Sequence, residues 1–331
     1  MKKILILTAT MGQGHLSAAN AIKQAIEHLY DHKYDVEIVD PMELFSPSIN
    51  HVNQKSYEGL ARRAPLICDF IIESFNKQWK VKLLNLLNYP LVLSKVKNFI
   101  NEKNPDLVVS TFPVWDYLIR QTLKKYNPKI KFISVITDSI FMHNAWISAD
   151  PDEQIVPNAD TAQAIIELGY DPKRIRNLGF PVRLEFLKPT DTKAFLKEQK
   201  LDPDRFTILF LPTSQKPKKN IEFMEELISN FKNCNIIVIR GRDFKIKTKM
   251  DTYETNKNVK IIGWTDHMPD FIKASDIILT KAGGATVMEC IAAEKPMIIT
   301  SMIAGHERGN AELIKRYKLG IIENKRKPQI T

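Results

Sequence analysis

Leu279 to Asn310 reads LTKAGGATVMECIAAEKPMIITSMIAGHERGN, and the order of its parts decides the fold class. An apolar run, Ile277 to Leu279, enters a turn of small residues at Ala282, Gly283, Gly284 and Ala285, and a helical apolar pattern starts at Thr286. A second apolar run, Pro296 to Thr300, follows the helix, so the unit is strand, helix, strand, the repeat of a parallel α/β sheet. The turn presents bare backbone N–H groups from Gly283 to Thr286. Its two glycines let a phosphate come close, and the positive end of the helix dipole favours the charge. Glu289, one turn into the helix, offers two acceptor oxygens to the hydroxyls of a ribose. Gly305, His306, Glu307 and Asn310 then gather the donors and acceptors that a hexose needs. Phosphate, ribose and sugar groups in that order describe a nucleotide-sugar site. A Gly-Gly turn alone serves equally well as a plain strand-to-helix connection.

The same rhythm extends outward in both directions. Upstream lie strands at Thr207 to Leu211, Asn235 to Ile239 and Lys260 to Ile262, with helices at Asn220 to Phe231 and Met268 to Lys273. A polar stretch, Lys188 to Asp204, reads as the passage from an earlier domain. That domain opens with a strand at Lys3 to Thr8, the turn Met11-Gly-Gln-Gly-His15 and a helical pattern over Leu16 to Tyr30. Strands follow at Asp35 to Val39, Asp106 to Ser110, Lys131 to Ile136, Gln154 to Val156 and Ile175 to Leu178, with a helix at Val114 to Lys124. Two domains result, 1–184 and 185–331, both doubly wound α/β. His15 at the head of the first helix is either a cap or a proton acceptor. Asp138 and His143 lie past a strand's C-terminal end, where α/β folds place ligands, although Asp138 equally caps a turn.

The 331 residues suffice for two cores. Lys and Arg outnumber Asp and Glu by 48 to 38, a net charge of +10 that suits an acidic partner without choosing among nucleic acid, anionic membrane and nucleotide. No nucleic-acid motif accompanies the charge. Cys68, Cys234 and Cys290 are widely spaced, so a disulfide framework and a zinc site are not expected, and a reducing cytoplasm fits. The short apolar run in MKKILILTAT reads as a buried strand rather than a signal peptide, and no run is long enough to span a bilayer. Residues 60–103 combine Arg62, Arg63, Lys77, Lys80, Lys82, Lys95, Lys97 and Lys103 with Phe75, Trp79, Leu83, Leu84 and Leu87. This is either a surface that lies on an anionic bilayer or a helical hairpin with a solvated basic face.

Lys281 to Glu289 followed by Gly305 to Asn310 resembles the donor segment of the GT-B glycosyltransferases. Among them it is most similar to the monogalactosyldiacylglycerol synthase and processive diacylglycerol glucosyltransferase family, relatives of the lipid-linked peptidoglycan N-acetylglucosaminyltransferase. The Gly12-Gln-Gly-His15 turn, Thr137-Asp138 with His143 and Trp146, Gly179-Phe-Pro-Val182, Gly241-Arg242-Asp243 and Gly263-Trp-Thr-Asp-His-Met268 extend the resemblance over nearly the whole chain. It implies a GT-B fold whose domains face a central cleft, with an acceptor and membrane domain first and a UDP-sugar domain second. It also implies an inverting transfer of glucose or galactose to diacylglycerol. His15 is then the base, and Asp138 and His143 orient the acceptor. Thr213, Ser214 and Arg242 approach the phosphates, and Gly263 and Met268 read the base. The protein would sit on the inner face of the cell membrane. Backbone N–H groups at Gly283 to Thr286 can stabilise the departing diphosphate in place of a metal, so no divalent ion or other cofactor is expected.

Four departures qualify the match. His306 replaces the family's Gln, Asp243 replaces Asn, and Pro212 to Lys219 replaces a glycine-rich turn. Beyond Gly320 to Ile322 the sequence ends within a few residues, where family members continue into a helix that returns to the first domain, so a shortened second domain is expected. A UDP-N-acetylglucosamine-dependent transferase, a UDP-sugar epimerase of the same fold, and a catalytically weakened protein that binds nucleotide sugar and membrane are the alternative readings.

Overall fold

The structure is a computed structural model that describes residues 1–9, 13–41, 93–213, 217–241, 250–302 and 307–323. Ser214, Arg242, Gly305 and His306, together with most of the basic stretch 60–103, lie outside the described residues. The chain divides into two units, Met1–Leu184 with Ala304–Gly309, and Glu185–Ile303 with Asn310–Thr331.

The first unit is built on β1 (Lys2–Leu7), β2 (Tyr34–Val39), β3 (Leu107–Ser110), β4 (Lys131–Val135), β5 (Glu153–Val156) and β6 (Ile175–Asn177). They form one parallel sheet in the order β2-β1-β3-β4-β5-β6. Ile4 to Leu7 are all buried because a central parallel strand is covered on both faces. The period of two sorts its side chains. Leu5, Leu7, Val108 and Phe132 pack on Leu118, Ile119 and Leu123 of α3 (Asp116–Tyr126) and on Val96, Phe99 and Ile100 of α2 (93–103). Ile4, Ile6, Val109 and Val135 pack on Ala19, Ile22 and Ile26 of α1 (Gln13–Tyr30). Two short helices complete the described unit, α4 (Ala145–Ser148) and α5 (Ala159–Glu167).

The second unit contains β7 (Thr207–Phe210), β8 (Asn235–Ile239), β9 (Val259–Ile262), β10 (Ile277–Lys281), β11 (Met297–Ser301) and β12 (Gly320–Ile322). The sheet is again parallel, in the order β12-β11-β10-β7-β8-β9. Its helices are α6 (Thr192–Glu198), α7 (Pro217–Asn230), α8 (Met268–Ala274), α9 (Gly284–Ala292) and α10 (Arg308–Arg316). In each sheet the chain winds outward from a central strand and then reverses, between β1 and β3 in one and between β7 and β10 in the other. The crevice at such a switch point, at the carboxyl ends of the strands, is where open α/β sheets bind ligands.

Three expectations change. Residues 188–204, read as a passage between domains, contain a helix that was not expected, because α6 forms there with Asp191 capping Ala194 N–H at 3.0 Å and with Leu196 buried. The segment is docked on α8: the Phe195 and Phe271 rings lie 4.8 Å apart, and Lys273 Nζ donates to the carbonyls of Glu185 and Lys188 at 2.7 and 2.8 Å. The dense charges of the stretch conceal the apolar spacing of Ala194, Phe195 and Leu196. Secondly, α1 starts at Gln13, so His15 lies within its first turn rather than ahead of it. Thirdly, Asn310 is on a helix and not in a loop, since α10 begins at Arg308. Among the described residues no helix is long and apolar enough to cross a membrane.

Candidate active site

The first unit places the chemistry-bearing groups of three strand ends together. β1 leads toward α1 and His15, β3 runs out at Ser110 into Thr111 and Phe112, and β4 runs out at Val135 into Thr137 and Asp138. His15 Nδ1 lies 2.9 Å from the Thr111 carbonyl and 2.7 Å from Thr137 Oγ1. A carbonyl only accepts, so these partners assign the hydrogen to Nδ1 and leave Nε2 as the basic nitrogen of the neutral ring. Thr111 is held in turn, its hydroxyl lying 2.9 Å from Thr8 Oγ1 and 3.1 Å from the His15 carbonyl. The Phe112 ring meets the imidazole edge-on with centroids 4.9 Å apart, and the Trp146 ring lies at 6.4 Å. The imidazole is therefore fixed in tautomer and in tilt by groups from three separate segments.

Asp138 and His143 lie on the loop between β4 and α4. Trp146 Nε1 donates to Asp138 Oδ2 at 2.7 Å, which fastens the carboxylate to a fully buried indole. His143 Nδ1 accepts from Ala145 N–H at 3.2 Å, so this ring carries its neutral-state hydrogen on Nε2, the opposite tautomer to His15. Beneath the loop after β3, Asp116 is completely buried, with Ser110 and Ser134 hydroxyls donating to its two carboxyl oxygens. Burial dominates those bonds and raises its pKa to about 7.

In the second unit the turn after β10 has the predicted form. Gly283 has extended backbone, φ −70° and ψ 132°, and caps α9, so the helix begins at Gly284. Its carbonyl accepts from Val287 N–H at 3.0 Å, and its own N–H, expected to be bare, donates to the Lys281 carbonyl at 2.8 Å, so the N–H groups that fall within the unpaired first turn are those of half-exposed Gly284, Ala285 and Thr286. Glu289 and Asn310 are buried. Asn310 Nδ2 donates to the Ala282 carbonyl at 3.0 Å, so its amide ties α10 to the back of the glycine turn. Glu307 is buried as well. Thr213, after β7, has its backbone clasped by Asn220, with Thr213 N–H to Oδ1 at 3.3 Å and Nδ2 to the Thr213 carbonyl at 2.6 Å. A side-chain amide thus shapes this loop in the absence of glycines. Gly263 and Met268 flank the entry to α8, Met268 as its first residue, with Trp264 exposed between them.

Sequence reading gave no role to Thr111, Thr137 or Asn220. The first two carried a usable signal, a hydroxyl residue directly after a buried strand at the sheet's ligand edge. Asn220 carried none, because nothing local marks a helix residue that reaches back to a loop.

The family model described as monogalactosyldiacylglycerol (MGDG) synthase matches residues 15–182, and the glycosyltransferase family 28 C-terminal domain matches residues 207–327. The processive diacylglycerol beta-glucosyltransferase of Staphylococcus aureus is 29% identical, over 94% of this chain and 78% of that protein. Among solved structures, S. aureus MnaA with UDP superposes with a TM-score of 0.57 at 13% identity, covering 96% of this chain and 90% of the other. The UDP-GlcNAc 2-epimerase of Neisseria meningitidis bound to UDP-GlcNAc gives 0.56 at 12% identity, covering 97% and 95%. Both structures share the fold of two Rossmann-like units, the GT-B architecture. With its first unit matched from the His15 helix to the Gly179-Phe-Pro-Val182 segment, the chain belongs to the monogalactosyldiacylglycerol synthase family.

Proposed function

We propose that this protein transfers a hexose, glucose or galactose, from a UDP-sugar to diacylglycerol at a membrane surface, with inversion at the anomeric carbon. The first unit takes the lipid acceptor and the second takes the UDP-sugar. The observation that carries the reading is the His15 ring, whose Nδ1 is held by the Thr111 carbonyl and Thr137 hydroxyl. Held this way, Nε2 receives the proton of the acceptor hydroxyl as its oxygen bonds to the anomeric carbon. The bond from that carbon to the diphosphate oxygen breaks, and its electron pair leaves with UDP. The N–H groups of Gly284, Ala285 and Thr286 and the α9 dipole stabilise the charge on the departing diphosphate. Asp138 and His143 orient the acceptor, and Glu289, Glu307, Gly263 and Met268 shape the donor site. The S. aureus relative, which acts on diacylglycerol by its name, supports this acceptor.

The test is transfer of radiolabelled hexose to diacylglycerol in anionic vesicles, with UDP-glucose and UDP-galactose offered separately. Glycolipid from one donor is expected, and His15→Ala should abolish it while calorimetry still detects UDP binding. No product from either donor would remove the reading. Unchanged turnover in His15→Ala would remove the base assignment.

A further inference from the structure

Between Asp138 and His143 the backbone makes a turn that its own residues do not favour. Ile140, a β-branched residue, has φ +57°, and Phe141 N–H donates to the Ser139 carbonyl at 2.6 Å across that single residue. A side chain branched at Cβ is crowded in the left-handed region, and a three-residue turn about a positive φ is the strained hand. Such positions are costly and persist only where the surroundings hold them. The sequence offers no glycine or asparagine here that would lower the cost.

Helix α5 provides one hold, beside Gly309, which packs closely on the backbone of Ser139 and Phe141. Asn158 caps it, its Oδ1 accepting both Thr161 N–H and the Thr161 hydroxyl at 2.8 Å. That second bond aims a Thr161 lone pair away from the helix, and Ile140 N–H donates to it at 3.0 Å. Asn158 Nδ2 also reaches Ser139 Oγ at 3.4 Å. Thr161 and Ser139 are fully buried and Ile140 nearly so, which makes a lost bond costly there. An N-cap alone needs only the bond from Asn158 to Thr161 N–H. The hydroxyl relay serves the turn.

We infer that Thr161 is a positioning residue of the acceptor site, holding the Ser139 to Phe141 turn and through it the Asp138 carboxylate and the His143 ring. The inference rests on the reading that the first unit takes the acceptor. Its effect passes through Asp138 to Trp146, whose Nε1 donates to that carboxylate.

Thr161→Val keeps the shape and removes the hydroxyl, and Thr161→Ser restores it. Valine is expected to raise the KM for diacylglycerol about tenfold, the scale of one buried hydrogen bond, with the KM for the UDP-sugar unchanged and serine near wild type. The Trp146 indole N–H resonance, assigned with Trp146→Phe, should shift with valine and not with serine. That readout needs no turnover, so wild type that transfers no hexose defeats the functional reading while the resonance still decides the turn. An Ile140→Gly background keeps the test open if the single valine variant fails to fold. Glycine adopts the positive φ without crowding, so the loss of the hydroxyl should matter less there. A valine variant with both KM values and the indole resonance unchanged overturns the inference, as does an equal effect of valine in the isoleucine and glycine backgrounds.

Discussion

Asp116 gives the first unit a pH dependence that a single substitution removes. The carboxyl is fully buried, receives hydroxyl hydrogen bonds from Ser110 and Ser134, and has its pKa raised from 3.8 to about 7, chiefly because burial penalises the charge. A folded pKa above the unfolded one means that the folded state holds the extra proton between those values. Stability is therefore complete below pH 4, falls as pH rises toward 7, and levels off beyond it. About three units at 1.36 kcal/mol each amount to about 4 kcal/mol. Asp116 is also the first residue of α3, where the helix dipole favours the anion by about 1 kcal/mol, so about 3 kcal/mol is the expected loss. Asp116→Asn keeps the shape, accepts from Ser110 through Oδ1 and donates to Ser134 Oγ through Nδ2, and cannot titrate. Urea unfolding of both proteins from pH 4 to pH 8.5 should therefore show similar stability at the acid end and the asparagine variant ahead by about 3 kcal/mol at the alkaline end. Taking the difference between the proteins cancels every other titrating group. A difference that stays flat across this range would refute the reasoning that burial outweighs the two hydroxyls and the dipole.

Gly320 opens β12 opposite Met297, and a Cβ there would lie 2.0 Å from the Met297 carbonyl oxygen. Gly320→Ala should destabilise the second unit by about 1–3 kcal/mol because the obstacle is sheet backbone. An unchanged urea midpoint would contradict that packing. Cys290 is fully buried, and burial together with the Glu289 carboxylate pushes its thiol pKa far up. Iodoacetamide at pH 8 should label Cys290 only when the chain unfolds, as read by peptide mass spectrometry, and prompt labelling of the native protein would disprove the burial.

Much of this architecture was legible because it rests on local chemistry. The alternation of apolar runs with helical patterns identified two parallel α/β units, since a strand covered on both faces must be apolar throughout, as Ile4 to Leu7 are. Gly283 and Gly284 marked the open start of α9 because their role depends only on neighbouring backbone. The helix α6 escaped notice because its charged residues mask a short apolar face that acquires meaning only when Phe195 meets Phe271. Asn310 was expected to face a sugar. Its Nδ2 donates to the Ala282 carbonyl, a partner 28 positions away in sequence that folding brings to it. The sequence by itself determined the fold class, the family and the residue types of the site, because periodicity, turn chemistry and motif spacing are written within a few residues of one another. Only the tertiary structure decided which nitrogen of His15 is basic and what holds the Ile140 turn. Thr111 and Thr137 reach the imidazole from the ends of two other strands, and Thr161 reaches Ile140 from a following helix. The direction of a hydrogen bond between distant segments exists only once the sheet has set their register.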